Sequence, residues 1–295
     1  MTFFLFNLLN GLQLSMLIFL MAIGLTVIFG LMDILNLAHA AFYMIGAYFG
    51  YVVFQGTGSF WVALVVAPLL PMVLGFMLQY FVLQPLIDRG RDAHLDMALL
   101  TFGLLFFTIG LIDLIFFEWL GLTFMSIDKP AGLGSYINIG TFYPTYRLFI
   151  VALGLSVALI VWYLLDRTVI GAVVRAGVDD REMVRAMGVN IYLVFASVFA
   201  LGCGLAGLAG VVAGAELSID ISMGVQILIP TLVVVVLGGL GSVKGCFLGA
   251  LIVGMTETLA QAYAPALALF ATYALLAAML VFRPQGFFGR APKTV

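Results

Sequence analysis

In the segment MDILNLAHAAF, Asp33, Asn36 and His39 follow one another at intervals of three. A helix stacks residues at that spacing roughly on one face. A carboxylate, a carboxamide and an imidazole in such a row suit two roles: a polar wall along a pathway, or a hydrogen-bonded network between helices. The residues alone leave both open. Glu257, between Thr256 and Thr258 in GALIVGMTETLAQAY, is placed to face other helices or a cavity. Asp113 and Glu118 stand at the end of another apolar stretch, where snorkelling or loop contacts account for them. An ionisable group at membrane depth costs roughly 3 kcal/mol on translocon scales, so each is a functional candidate.

No catalytic set assembles from these groups. The two histidines, His39 and His94, lie on separate segments, and no Cys/His cluster has zinc-ligand spacing. There is no Gly-x-Ser-x-Gly elbow. The run VVVVLGGLGSVKGCFLGALIVG is glycine-rich, but Lys244 is followed by Gly245 and Cys246, so the Gly-Lys-Ser/Thr of a phosphate loop is missing. Its glycines suit a bending backbone in close approach to a neighbour.

The elements that carry these residues must cross a membrane. Hydrophobic residues make up 64% of the 295-residue chain and charged residues 9%, against about a quarter charged in a soluble domain. No charged residue precedes Asp33, none lies between it and Asp88, and the first basic residue is Arg89. A net charge of −2 offers no basic face for nucleic acid. Cys203 and Cys246 sit in apolar stretches as small packing residues rather than a disulfide framework. The first apolar run is too long, and lacks the basic flank, for a cleavable signal peptide. Continuous apolar runs argue against a β-barrel.

Spans of roughly 20 apolar residues are expected at 8–31, 35–54, 61–84, 97–117, 147–165, 191–214, 227–240, 246–263 and 266–282. The fold expected is therefore all-α: a polytopic integral membrane protein with roughly eight to nine transmembrane helices, some broken or re-entrant. One transmembrane domain fills residues 1–295, with loops at 118–146 and 166–190. Basic residues set the orientation. Arg89, Arg91, Arg167, Arg175, Arg181, Arg185, Lys244, Arg283, Arg290 and Lys293 fall on one side, and only Lys129 and Arg147 on the other. This puts the N-terminus outside, the C-terminus and 166–190 in the cytoplasm, and 118–146 at the outer surface.

Loop 118–146, rich in Gly, Pro, Tyr and Ser, reads as an ordered surface element. Loop 166–190 mixes Val174, Val178, Met183, Val184 and Met187 with charges, and Asp179 or Asp180 can start a helix ending near Gly188. Such an amphipathic helix serves either as a membrane-surface connector or as a docking surface. Gly202, Gly204, Gly207, Gly210 and Gly214 line one segment, and small residues there let helices pack closely within the subunit or at a dimer interface.

Two glycine-interrupted apolar segments, Gly24 to Tyr48 and Val233 to Gly254, occupy opposite halves of the chain, the pattern of a transporter built from repeats. GLTVIFGLMDILNLAHAAFYMIGAY resembles the signature of branched-chain amino acid ABC importer permeases of the LivH type. RAGVDDREMVRAMGVNIYLVFASVFALGCGLAGLAGVVAG resembles their cytoplasmic loop and following helix, and LVVVVLGGLGSVKGCFLGALIVGMTETL their third block. The likeness runs from about residue 8 to 283.

That resemblance implies a type II-like ABC importer permease in a bacterial inner membrane. Its partners would be a second, related permease subunit, two cytoplasmic ATP-binding subunits and a periplasmic solute-binding protein. ATP and Mg would be bound on the ATPase subunits, with no cofactor, metal or catalytic residue on this chain. Arg175, Ala176, Gly177, Asp179, Met183 and Gly188 match the family's coupling element. Asn36, His39, Gly46, Gly239, Gly241 and Glu257 are the residues assigned to the substrate pathway and its hinges. The chain departs from H-type relatives at Asp33, and at Ala40, Ala41 and Phe42 where glycine is usual. Branched-chain amino acids are the expected substrate, with other amino acids, urea or amides, and small carboxylates used by neighbouring branches. The rival readings are an ion-coupled secondary transporter, with Asp33, Asp113 or Glu257 carrying the proton, and a membrane-embedded enzyme.

Overall fold

The computed structural model describes residues 2–32, 36–88, 93–122, 124–138, 142–283 and 285–289. Asp33, Arg89, Arg91, Arg290 and Lys293 lie outside the described residues.

The chain is a helical bundle. In order it forms α1 (Thr2–Met32), α2 (His39–Thr57), α3 (Phe60–Val66), α4 (Leu69–Met77), α5 (Gln84–Ile87), α6 (Ala93–Ile112), the strands β1 (Tyr136–Asn138) and β2 (Phe142–Pro144), α7 (Thr145–Arg167), α8 (Val169–Asp179), α9 (Arg181–Ala186), α10 (Ile191–Glu216), α11 (Met223–Gly238), α12 (Val243–Tyr263) and α13 (Pro265–Phe282). A π-helical turn, Leu78–Leu83, joins α4 to α5, so that Phe60–Ile87 is one long apolar stretch, and another, Asp113–Trp119, ends α6. Asp113 and Glu118 fall in that second turn. Among the described residues six helical stretches are long and apolar enough to cross a membrane: Phe3–Gly30, Phe60–Ile87, Leu95–Trp119, Thr145–Arg167, Ile191–Glu216 and Val243–Tyr263.

Each apolar segment expected from the sequence is helical, but 61–84 is divided into α3, α4 and a π-helical turn rather than one helix, and the two short segments have shifted ends. α2 starts only at His39, and α11 starts at Met223, four residues before the expected position. Pro230 sits inside α11 and removes one ladder hydrogen bond. α8 is an additional helix ahead of the expected one.

α10 is the central post. It packs on α1, α2 and α4, while α1 lies along α12 and also touches α7 and α11. Lipid is as apolar as leucine, so helices associate by close fit rather than hydrophobic drive. The small residues make that fit. A side chain on Gly46 would run into the Gly207 backbone, and one on Gly210 into the Tyr43 carbonyl, so α2 and α10 cross backbone to backbone. The glycines of α10 are thus consumed by packing within the subunit. α6, α7 and α13 turn large apolar side chains outward, among them Phe107, Leu159 and Val281.

The ends of the bundle differ. One carries the antiparallel pair β1–β2, in register Tyr136↔Pro144, together with an isolated bridge between Met125 and Ile219; we call it the strand face. The other carries α8 and α9, and we call it the short-helix face.

Candidate functional site

Residues 15–26 of α1 are all buried, a stretch of about 18 Å at helical rise. Ser15 donates to the Gly11 carbonyl at 2.6 Å and reaches the Leu251 carbonyl of α12 at 3.4 Å. His39, at the start of α2, has no exposed surface and donates from Nε2 to the Met21 carbonyl at 3.1 Å. That acceptor dictates the tautomer, because a carbonyl can only accept. Gly24 leaves room for the imidazole: a Cβ there would lie 2.9 Å from its Cε1 and would also strike the Gly202 carbonyl of α10. α1, α2 and α10 therefore lock together at one level. Asn36 is equally buried, and its backbone carbonyl accepts from the His39 amide at 3.3 Å.

On the strand face, a cavity of about 450 Å³ opens beside this buried stretch. Asn7, Asn10, Gln13, Arg147, Glu216, Thr258 and Gln261 supply its polar lining, and Leu14, Leu17 and Leu217 its apolar wall. Four of the chain's twelve amide side chains gather here. Phe3, Leu217 and Gln261 on its rim are exposed. Glu216, with its side chain 6% exposed, accepts from Lys129 and from Arg147, both at 2.7 Å. Arg147 also donates to Asn10 at 2.8 Å, and Lys129 stands 5.1 Å from the Tyr146 ring centroid. The only two basic residues assigned to this side thus share one carboxylate. Burial raises the Tyr143 phenol to about 12, against a partial lowering by Arg147.

At the short-helix face α11 and α12 are joined by a tight turn. Gly239 and Gly241 take φ of +91° and +79°, a region that favours glycine. Ser242 caps α12 by accepting from the Gly245 amide at 3.1 Å. Phe287 and Phe288 donate back to the Leu237 and Gly238 carbonyls at 2.8 and 3.1 Å, tying the chain's end to α11.

α8 and α9 lie beside this turn. Thr168 caps α8 by accepting from the Gly171 amide, and Asp180 caps α9 by accepting from the Met183 amide at 2.9 Å. Gly188, at φ +84°, ends the turn after α9. Gly177 packs on Ile191, while the guanidinium groups of Arg181 and Arg185 stand 5.1 and 4.2 Å from the ring centroids of Phe195 and Tyr192. Arg175 donates to the Leu165 carbonyl at the end of α7. Ala176 and Asp179 are exposed, and Met183 and Met187 are 61% and 75% exposed. α9 is therefore fixed on one side and presents Met183 to solvent, with Met187 exposed just after its end.

The six residues assigned to the pathway occupy three places. His39 braces the buried part of α1, with Asn36 buried just ahead of α2 and Gly46 further along α2 against α10. Gly239 and Gly241 form the α11–α12 turn. Glu257 is half-buried on α12, where Gln261 donates to it at 3.5 Å, next to Thr258 of the strand-face cavity. The six assigned to coupling do lie together on α8, α9 and the following turn. Sequence reasoning missed Asn7, Asn10 and Gln13; their three-residue spacing in an apolar helix was the available signal. It also missed Glu216, whose role depends on partners 87 and 69 residues away.

The family model of the branched-chain amino acid transport system permease component matches residues 7–283. The chain is 27% identical to the high-affinity branched-chain amino acid transport system permease protein LivH of Salmonella typhimurium, over 98% of this chain and 96% of that one. It is 27% identical to BraD of Pseudomonas aeruginosa, a permease protein of the same description, over 96% and 95%. It is also 27% identical to LivM of Escherichia coli, again a permease protein of such a system, over 92% and 68%. No solved structure matches the chain. The match covers the helical bundle from the first turns of α1 to the end of α13, and on that ground this polytopic membrane protein belongs to the family of branched-chain amino acid transport system permease components.

Proposed function

We propose that this chain is one of two permease subunits in an ATP-binding cassette importer that moves branched-chain or related amino acids across a bacterial inner membrane by alternating access. The likeness to LivH over nearly the full length carries this reading. Likeness to LivM supports pairing with a second, related permease. Two cytoplasmic ATPases, which bind ATP and Mg, and a periplasmic binding protein complete the assembly. Arg167, Arg175, Arg181, Arg185, Lys244 and Arg283 support a cytoplasmic short-helix face through the positive-inside rule.

In this reading solute enters at the strand-face cavity, whose amides and ion pair suit a zwitterion and whose leucines suit an aliphatic side chain. The buried stretch of α1 blocks its passage until α1, α2 and α12 move. Asn36, His39, Gly46 and Glu257 line or brace that route, and Gly239 and Gly241 serve as its hinge. Arg175, Ala176, Gly177, Asp179, Met183 and Gly188 transmit the ATPase motion through α8 and α9.

The test is to purify the tagged chain in mild detergent from its native cells and identify what accompanies it. A second polytopic permease with one or two ATPases and vanadate-sensitive ATP hydrolysis is the expected result. A lone chain that drives uptake in liposomes from an ion gradient would overturn the assignment.

A further inference from the structure

A second cavity, of about 610 Å³, opens at the short-helix face. Its walls come from the ends of membrane helices: Thr26 and Phe29 of α1, Trp162 and Leu165 of α7, Val178 of α8 and Leu240 before α12. Arg175, Arg181 and Lys244 supply three cations to it, and Asp166 is the one acidic side chain among its described lining residues. Ser242 and the first turn of α12 also face it. The indole N–H of Trp162 is buried there without a hydrogen-bond acceptor among the described residues.

We propose that this cavity binds a phosphate-bearing anion, supplied either by the headgroup of an anionic phospholipid or by free phosphate. Three cations in a concave site at membrane-surface depth attract a phosphate group, and basic pockets between membrane helices on the cytoplasmic side suit lipid headgroups. The arginines add planar donor pairs that match phosphate oxygens. Trp162 lines the cavity and reports on what binds there. Phe29, Leu165, Val178 and Leu240 supply an apolar lining that suits the glycerol and first methylenes of a lipid. The cavity opens among helix ends, and Met183 and Met187, which are not among its lining residues, are exposed beside it. Arg175 and Arg181 belong to α8 and α9 as well as to the cavity, so ligand binding and protein co-purification are read separately in the same variants.

The experiment uses the full chain, purified and stripped of lipid, with Trp61 and Trp119 replaced by Phe so that Trp162 alone of the three tryptophans reports. Short-chain phosphatidylglycerol, phosphatidylcholine of the same chains, and inorganic phosphate are titrated separately. Phosphatidylglycerol or phosphate should give a saturable change in Trp162 emission that phosphatidylcholine does not. Arg181→Gln and Lys244→Gln should each weaken it about fivefold, from roughly 1 kcal/mol per cation, and Lys244→Arg should restore it. Far tighter binding of phosphatidylglycerol than of phosphate assigns the site to lipid, and equal binding assigns it to the free anion. Equal response to phosphatidylcholine, or unchanged affinity in both Gln variants, overturns the proposal. So does loss of a co-purifying protein from those variants with phosphatidylglycerol binding intact.

Discussion

Gly30 and Gly241 meet backbone to backbone. A Cβ on Gly30 would lie 2.7 Å from the Gly241 Cα, and one on Gly241 would lie 2.8 Å from the Gly30 Cα. The contact joins the end of α1 to the turn between α11 and α12, so the two glycine-interrupted segments from opposite halves of the chain are physical neighbours. Gly241 also holds a positive φ. Gly30→Ala and Gly241→Ala are each expected to destabilise the fold by about 1–3 kcal/mol, the usual cost of overpacking. The double variant should cost less than the sum, because both substitutions disrupt the same contact. Thermal unfolding in detergent, followed by the loss of the monodisperse peak, reads both effects.

Gly46 and the glycines of α6 separate packing from composition. Gly46→Ala drives a methyl into the Gly207 backbone, where no side chain can turn aside. It should abolish folded protein in membranes. Gly103 and Gly110 have nothing within reach of a Cβ, so Gly103→Ala and Gly110→Ala should be neutral or stabilising by up to about 1 kcal/mol through helix propensity. Expression and thermal stability of the three variants, measured side by side, check the contrast.

Glu216 holds two cations at the strand face, and the roles of the three are unequal. Glu216→Gln leaves Lys129 and Arg147 together without their carboxylate, whereas Lys129→Met leaves Glu216 paired with Arg147. The first should lower stability by about 1–3 kcal/mol and the second by less than about 1 kcal/mol, since the lysine is one-third exposed. An equal loss in both variants would show that the carboxylate is not the shared anchor.

The short helices are expected to separate folding from coupling. Met183 and Met187 are exposed, so Met183→Glu and Met187→Glu should leave insertion and melting temperature unchanged while ATPase subunits no longer co-purify. In Gly188→Trp the added Cβ meets nothing within 4 Å, but the residue must adopt φ +84°. It should distort the end of α9 and uncouple ATP hydrolysis from uptake. Undiminished, substrate-stimulated uptake in Gly188→Trp would refute the coupling assignment.

Length, apolarity and charge spacing were enough to determine that this chain is a helical membrane protein. Backbone groups in lipid must bond within their own segment, and a run without charge from Asp33 to Asp88 leaves no soluble alternative. The Asp180 cap and the Gly188 stop were equally legible, because capping is local chemistry. Other features depended on the tertiary fold. Asp33, Asn36 and His39 formed a polar row in the sequence, but only the packing of α1 and α10 decided that His39 is enclosed against the Met21 carbonyl. Glu216, Lys129 and Arg147 lie far apart in the chain, and no local pattern links them. In a bundle where nearly every helix is apolar all round, periodicity does not say which face meets which neighbour. Close approaches such as Gly30 on Gly241 and Gly46 on Gly207 decide that, and they exist only once the helices have crossed.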